Sequence, residues 1–181
     1  IFDDNGSDTC LEDPNTLWLL HFQLVYTYYA TLYRQVFVYF HKERQEFSKT
    51  NIFNFIKRQF ADKTFEKTIY NENTINKDIS TLLKMYVIPD NYTFDDFSSV
   101  LIDLNLIKKV EKDLYEFNYV TKAELNPLVF LFAVRSIAPD AKVVEYDRLL
   151  ELSLVFCLSQ GDLYEIFSGL TAINNKITFD N

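Results

Sequence analysis

Glu12-Asp13, Asp95-Asp96, His21, His41, Cys10 and Cys157 are the residues of this 181-residue chain whose types could do covalent or metal chemistry. Adjacent carboxylates can hold a divalent cation through oxygen ligands. Glu12-Asp13 has a simpler use. Asp13 stands directly before Pro14, and an Asp N-cap followed by proline is a helix start, where negative charge also complements the backbone dipole. Asp95-Asp96 has the same explanation, since Thr93-Phe-Asp-Asp96 resembles a capping box. His21 lies in mid-helix among Leu and Phe and is expected to be a partly buried structural histidine. Neither His21 nor His41 has a metal-ligand spacing with a cysteine or a second histidine. Cys157 falls in an apolar helix and is expected to be inert core. Gly6, Gly161 and Gly169 stand alone, so no phosphate-cradling glycine loop is formed, and there is no Gly-x-Ser-x-Gly elbow. No catalytic residue, metal site or cofactor is assigned, and a non-enzymatic protein is the preferred expectation.

Nucleic-acid contact needs less: exposed bases on a presentable face. The net charge is −8, so the chain as a whole does not attract phosphates. The charge is uneven, however. From His41 to Lys84 there are nine bases against six acids. Asn76, Lys77, Ser80 and Lys84 fall on the outer face of one helix, and Lys108, Lys109 and Lys112 fall in a hairpin, where Glu111 and Asp113 offset them. These seven positions, leaving aside Thr81 on the same helix face, are the candidate nucleic-acid contacts. Asp95, Asp96 and Asp103 fall on the helix expected just before the hairpin, the one that commonly enters the groove in a winged helix, and would repel phosphates. The plain alternative is a solvated helix face and hairpin used as scaffold or for protein contact.

Helices must position these residues. Three Gly and four Pro leave few tight turns, and 48% hydrophobic residues supply ample core. The central helix is expected from about Pro14 to Tyr28, where Leu17, Trp18, Leu19, Leu20, Phe22, Leu24 and Val25 leave little surface for water. A second follows from Thr31 to Glu46, and Ser48 caps a third that carries Ile52, Phe55, Ile56 and Phe60 at helical spacing. Thr74 to Tyr86 presents the apolar stripe Ile75, Ile79, Leu82, Leu83 and Tyr86. A helix is read at Asp95 to Asn105, then a hairpin from Ile107–Val110 into the alternating Tyr115, Phe117 and Tyr119. Helices at Leu128–Ile137, Tyr146–Leu158 and Asp162–Ile173 and a short strand at Ile177–Phe179 complete the chain. The expected fold is therefore mainly α: a multi-helix core with a winged-helix-like unit, three helices plus a β-hairpin, in the middle. Its divisions are 1–47, 48–120 and 121–181, expected to pack as one compact unit.

No signal peptide or membrane span is expected. The longest apolar region, Leu17 to Phe40, is interrupted by His21, Gln23, Arg34 and Gln35. Two distant cysteines make no disulfide framework, so a reduced, cytoplasmic setting is expected. The chain starts at Ile1 rather than Met, and a preceding N-terminal region is expected.

The stretch Leu11-Glu-Asp-Pro-Asn-Thr-Leu-Trp-Leu-Leu-His21 resembles the signature of a bacterial family, domain of unknown function 4007. Glu12, Asp13, Pro14, Leu17, Trp18 and His21 carry that signature and are expected to be structural. Thr74 to Val87, Leu101 to Ile107 with Tyr115-Glu-Phe117, Val155 to Leu158 and Asp162 to Ile166 resemble its later segments in the same order. One departure is Asn105, where the family usually has Gly before the Leu-Ile of the hairpin. The resemblance implies a longer N-terminus with another helical, DNA-binding-like segment. It also implies genes that accompany DNA sulfur modification (phosphorothioation) and anti-phage defence. The expected function is a non-enzymatic accessory of such a system, binding duplex DNA through the helix at Asn76 to Lys84 and the Lys108–Lys112 wing, with acidic faces docking partner proteins of that system. A protein adaptor without DNA contact, and a metal-dependent nuclease using Glu12-Asp13, are the alternatives.

Overall fold

A computed structural model describes residues 8, 11–27, 30–61, 71–89 and 99–178. The protein is mainly helical, with one small three-stranded antiparallel sheet. The chain divides into two compact units, Ile1–Gln23 with Tyr119–Asn181, and Leu24–Asn118. The division falls inside the first helix.

The first unit is helical. Helix α1 (Pro14–Tyr26) starts as the residue types dictate: Asp13 Oδ1 accepts the Asn15 backbone N–H at 2.9 Å, and Pro14 occupies the first turn. Trp18 and Phe22 from α1 are buried and meet Phe156 at centroid distances of 5.8 and 6.2 Å. Helix α6 (Pro127–Ile137) repeats the cap, with Asn126 accepting from Leu128 N. It adds the fully buried Phe130, 5.9 Å from Phe156.

Helix α7 (Tyr146–Val155) ends with paired bonds, Cys157 N to Leu154 O and Leu158 N to Ser153 O. This is a Schellman closure, with Cys157 at the left-handed position (φ 50°) where glycine is usual. Helix α8 (Gln160–Ile173) begins two residues later with a capping box. Ser159 Oγ accepts from Asp162 N at 3.1 Å, and Asp162 Oδ2 accepts from Ser159 N at 2.9 Å.

The second unit holds the sheet. It opens with α2 (Thr31–Arg34), a π-helical segment (Gln35–Phe40) and α3 (His41–Glu43). Strand β1 (Glu46–Phe47) follows, then α4 (Lys49–Ala61) and α5 (Glu72–Tyr86). After a 3-10 turn (Val100–Leu104), β2 (Ile107–Glu111) and β3 (Leu114–Phe117) form the hairpin. Both β1 and β2 pair with β3, giving the order β1-β3-β2. Phe37, Phe40, Phe47, Phe55, Tyr86 and Phe117 are all buried and pack in edge or tilted contacts 4.8–5.8 Å apart.

Three expectations differ from these elements. The helix from Thr31 stops at Glu43 rather than Glu46, because Glu46 and Phe47 pair with Glu116 and Tyr115 as a strand. The helix read at Asp95 to Asn105 is a 3-10 turn over Val100–Leu104; its expected start, including Thr93-Phe-Asp-Asp96, lies outside the described residues. Residues 177 and 178 are in no strand: Ile177 N instead bonds Asn174 O in a turn, and Phe179 is outside the described residues.

Candidate nucleic-acid interface

Helix α5 is anchored at its N-terminus by Asn71, whose side chain accepts from Asn73 N at 3.0 Å and Thr74 N at 3.2 Å. Ile79, Leu82, Leu83 and Tyr86 bury one face. Helical geometry then sends Asn73, Asn76, Lys77, Ser80, Thr81 and Lys84 to the opposite face, and these six line one shallow surface. All are exposed except Ser80, which is half-buried.

No acid interrupts that stripe. Glu72 turns aside to an ion pair with Lys57 at 3.2 Å. Asp78 flanks the stripe and acts on Tyr33, whose phenol pKa is raised by burial and by that carboxylate. Among the described residues, no carboxylate lies within ion-pairing distance of Lys77 or Lys84.

Two side chains of the stripe are pinned to the helix itself. Asn76 Nδ2 donates to Glu72 O and Thr81 Oγ1 donates to Lys77 O, each at 3.0 Å. Asn73 is the member that sequence did not single out, and Thr81, expected on this face, joins the candidate contacts. The signal for Asn73 was available, since it lies four residues before Lys77.

The hairpin is less well equipped. Lys108 faces Glu116 across the ladder and is ion-paired with it. Lys109, opposite Tyr115, is half-buried. Lys112 is exposed in the turn between Glu111 and Asp113, and Asp113 takes a left-handed conformation at φ 61°. Thus Lys77 and Lys84 lie on one acid-free surface with Asn76 and Ser80, whereas each hairpin lysine has an acidic or half-buried setting. On α4, Arg58 is held by Glu43 at 2.6 Å.

The charge divides with the units. Leu24–Asn118 holds 13 acids and 13 bases, whereas the other unit holds 13 acids and only 5 bases, so the whole −8 belongs to the latter.

Two of the residues that invite an enzymatic reading, Asp13 and His21, have structural partners. Asp13 caps α1, and Asp8 accepts from the backbone N–H groups of Glu12 and Asp13 at 2.9 and 3.2 Å. Leu17, Trp18 and His21 are buried, Glu12 and Pro14 exposed. His21 Nε2 lies 2.8 Å from Val155 O; a carbonyl only accepts, so the ring carries its proton there and donates. Burial pulls the His21 pKa down from 6.5 to about 4, against a smaller opposing effect of that bond. The imidazole is therefore neutral at pH 7 and satisfies a carbonyl of the last turn of α7.

Cys157 is a buried free thiol. Near it, burial lowers the Lys122 pKa, opposed by the Cys157 and Asp162 charges, and burial raises that of Tyr119. Among the described residues, no group of three or more His, Cys, Asp or Glu could hold a metal ion. Nor is any described helix long and apolar enough to cross a membrane.

Comparison with known proteins gives family and fold. Two crystal structures resemble the chain, one titled magnesium ion-bound SspB and one SspB, with TM-scores of 0.83 and 0.81. Each is 21% identical and covers 97% of this chain, which spans only 55% of either SspB chain. At that identity the likeness is one of fold. No curated protein matches. The family described as protein of unknown function (DUF4007) matches residues 1–181, the full length given, and the chain belongs to that family.

Proposed function

We propose that this protein is a non-enzymatic, cytoplasmic accessory of a bacterial DNA-modification or anti-phage defence system associated with phosphorothioation, and that it binds duplex DNA through Leu24–Asn118. This unit has the order of a winged helix: a helix, a short strand, two helices, then a hairpin whose last strand pairs with the first. In that arrangement α5 is the groove-entering helix and the β2–β3 turn is the wing. The acid-free stripe on α5 is the observation that carries the proposal, since phosphate neutralisation dominates DNA affinity. The sulfur-modification setting comes from the family resemblance.

The test is fluorescence anisotropy with a duplex of about two helical turns, ~20 base pairs. Replacing Lys77, Lys84, Lys108 and Lys109 with Glu is expected to abolish binding while the fold is retained. Unchanged affinity would overturn the assignment of these residues.

A second reading, a protein adaptor, is favoured by the concentration of the whole −8 in the other unit. A basic partner protein suits that unit, and the two roles are compatible. The nuclease alternative draws on the magnesium-bound title of one similar structure. It is the weaker reading, because Asp13 Oδ1 already accepts both the backbone N–H and the side-chain amide of Asn15 at 2.9 Å.

A further inference from the structure

We infer that Asn76 is a base-reading residue that selects adenine in the major groove, a step that rests on the DNA-binding proposal above. The amide of Asn76 is already oriented, because Nδ2 donates to Glu72 O one helical turn back. That bond uses one of its two N–H donors. The other N–H and Oδ1 remain, on an exposed position in the middle of the acid-free stripe.

A donor beside an acceptor is half of a bidentate match. Adenine presents the other half on its major-groove edge, the N6–H donor beside the N7 acceptor. Guanine offers two acceptors there, cytosine a single donor and thymine a single acceptor, so none of them can pair with both groups of the amide. The charge of the stripe fits the same occupant. Lys77, the next residue, and Lys84, two turns further on, supply cations for the flanking phosphates, with no carboxylate on the stripe to repel them. Because the amide is tied to its own helix, less rotamer freedom is lost on docking than for an untethered side chain.

The experiment selects bound duplexes from a randomised pool, using the full chain, Asn76→Ala and Lys77→Ala. Ala favours a helix more than Asn does and position 76 is exposed, so Asn76→Ala keeps α5 folded. The wild-type chain is expected to enrich adenine at one position. Asn76→Ala is expected to lose discrimination there by about 10- to 100-fold and to keep the wild-type salt dependence. Lys77→Ala is expected to weaken binding to all sequences alike and to keep the adenine preference. Retained adenine enrichment in Asn76→Ala, or wild-type binding without any base preference, would overturn the role of Asn76 while leaving DNA contact intact. No binding by the wild-type chain would bring down the DNA-binding proposal along with it.

Discussion

His21 Nε2 donates to Val155 O inside the helical unit, on a ring that burial keeps uncharged. Its consequence is measurable. The folded-state pKa, about 4, lies below the ordinary 6.5, so the native state resists the protonation that the unfolded chain accepts. The stabilisation is fully present above pH 6.5 and is lost as pH falls toward 4, by on the order of 3 kcal/mol over that window. Denaturant melts at pH 7 and pH 4.5 should therefore show a loss that is much smaller in His21→Gln, which cannot titrate. An equal loss in both proteins would mean that other groups carry the acid sensitivity.

Asn105 makes a second point at this scale. It ends the 3-10 turn in a left-handed conformation, φ 47° and ψ 48°. That geometry is why the family resemblance expects Gly there, and why Asn, which tolerates it, can replace Gly. Asn105→Val should destabilise by about 1–2 kcal/mol and Asn105→Gly by much less, since only the β-branched residue meets the full left-handed penalty. Chemical denaturation of the two variants measures the difference. The structural use of Asp13 and His21 was legible from their neighbours in sequence. The hydrogen-bond partner of His21 was not, because Val155 lies 134 residues away.

Among the elements, those with strong local signals were read well. Asp13-Pro14, Ser48 and Asn126-Pro127 start helices where their types require, and the Tyr115, Phe117 alternation forms a strand buried on one face. Strand β1 was not legible. Two residues cannot establish a period, and their pairing with β3 depends on residues almost 70 positions away. Its absence from the sequence reading mattered, because β1 is what places α5, rather than the stretch before the hairpin, at the groove-entering position of the proposed winged helix. The acids that argued against DNA contact, Asp95, Asp96 and Asp103, belong to that other stretch.

Gly169 supplies a prediction on how elements meet. A Cβ there would lie 2.9 Å from Pro127 Cγ, so α8 approaches the start of α6 too closely for a side chain. Helix propensity alone says that Gly169→Ala should stabilise by nearly 1 kcal/mol. Against that contact we expect no gain, and a net loss of about 1 kcal/mol from overpacking. Adding Pro127→Ala should restore part of the loss through a coupling in the double-mutant cycle. Additive effects would show that the close approach costs nothing.

For the molecule as a whole, the net charge conceals two unlike units. Leu24–Asn118 is neutral in sum and holds every candidate DNA-contacting residue, whereas the other unit carries all of the −8. The overall figure argued against nucleic acid, and only the division of the chain shows why that argument is too coarse. The central claim is that a lysine-bearing, acid-free face of α5 meets DNA phosphates. The measurement closest to it is the salt dependence of binding to plain and phosphorothioated duplexes, followed by anisotropy. Contacts from Lys77, Lys84 and one or two hairpin lysines predict a log–log slope of about −3, reduced by about 2 in Lys77→Ala/Lys84→Ala. Tighter binding to the sulfur-bearing duplex would make the protein a reader of the modification. A slope near zero, or no binding at low salt, would contradict the account and leave the adaptor reading in its place.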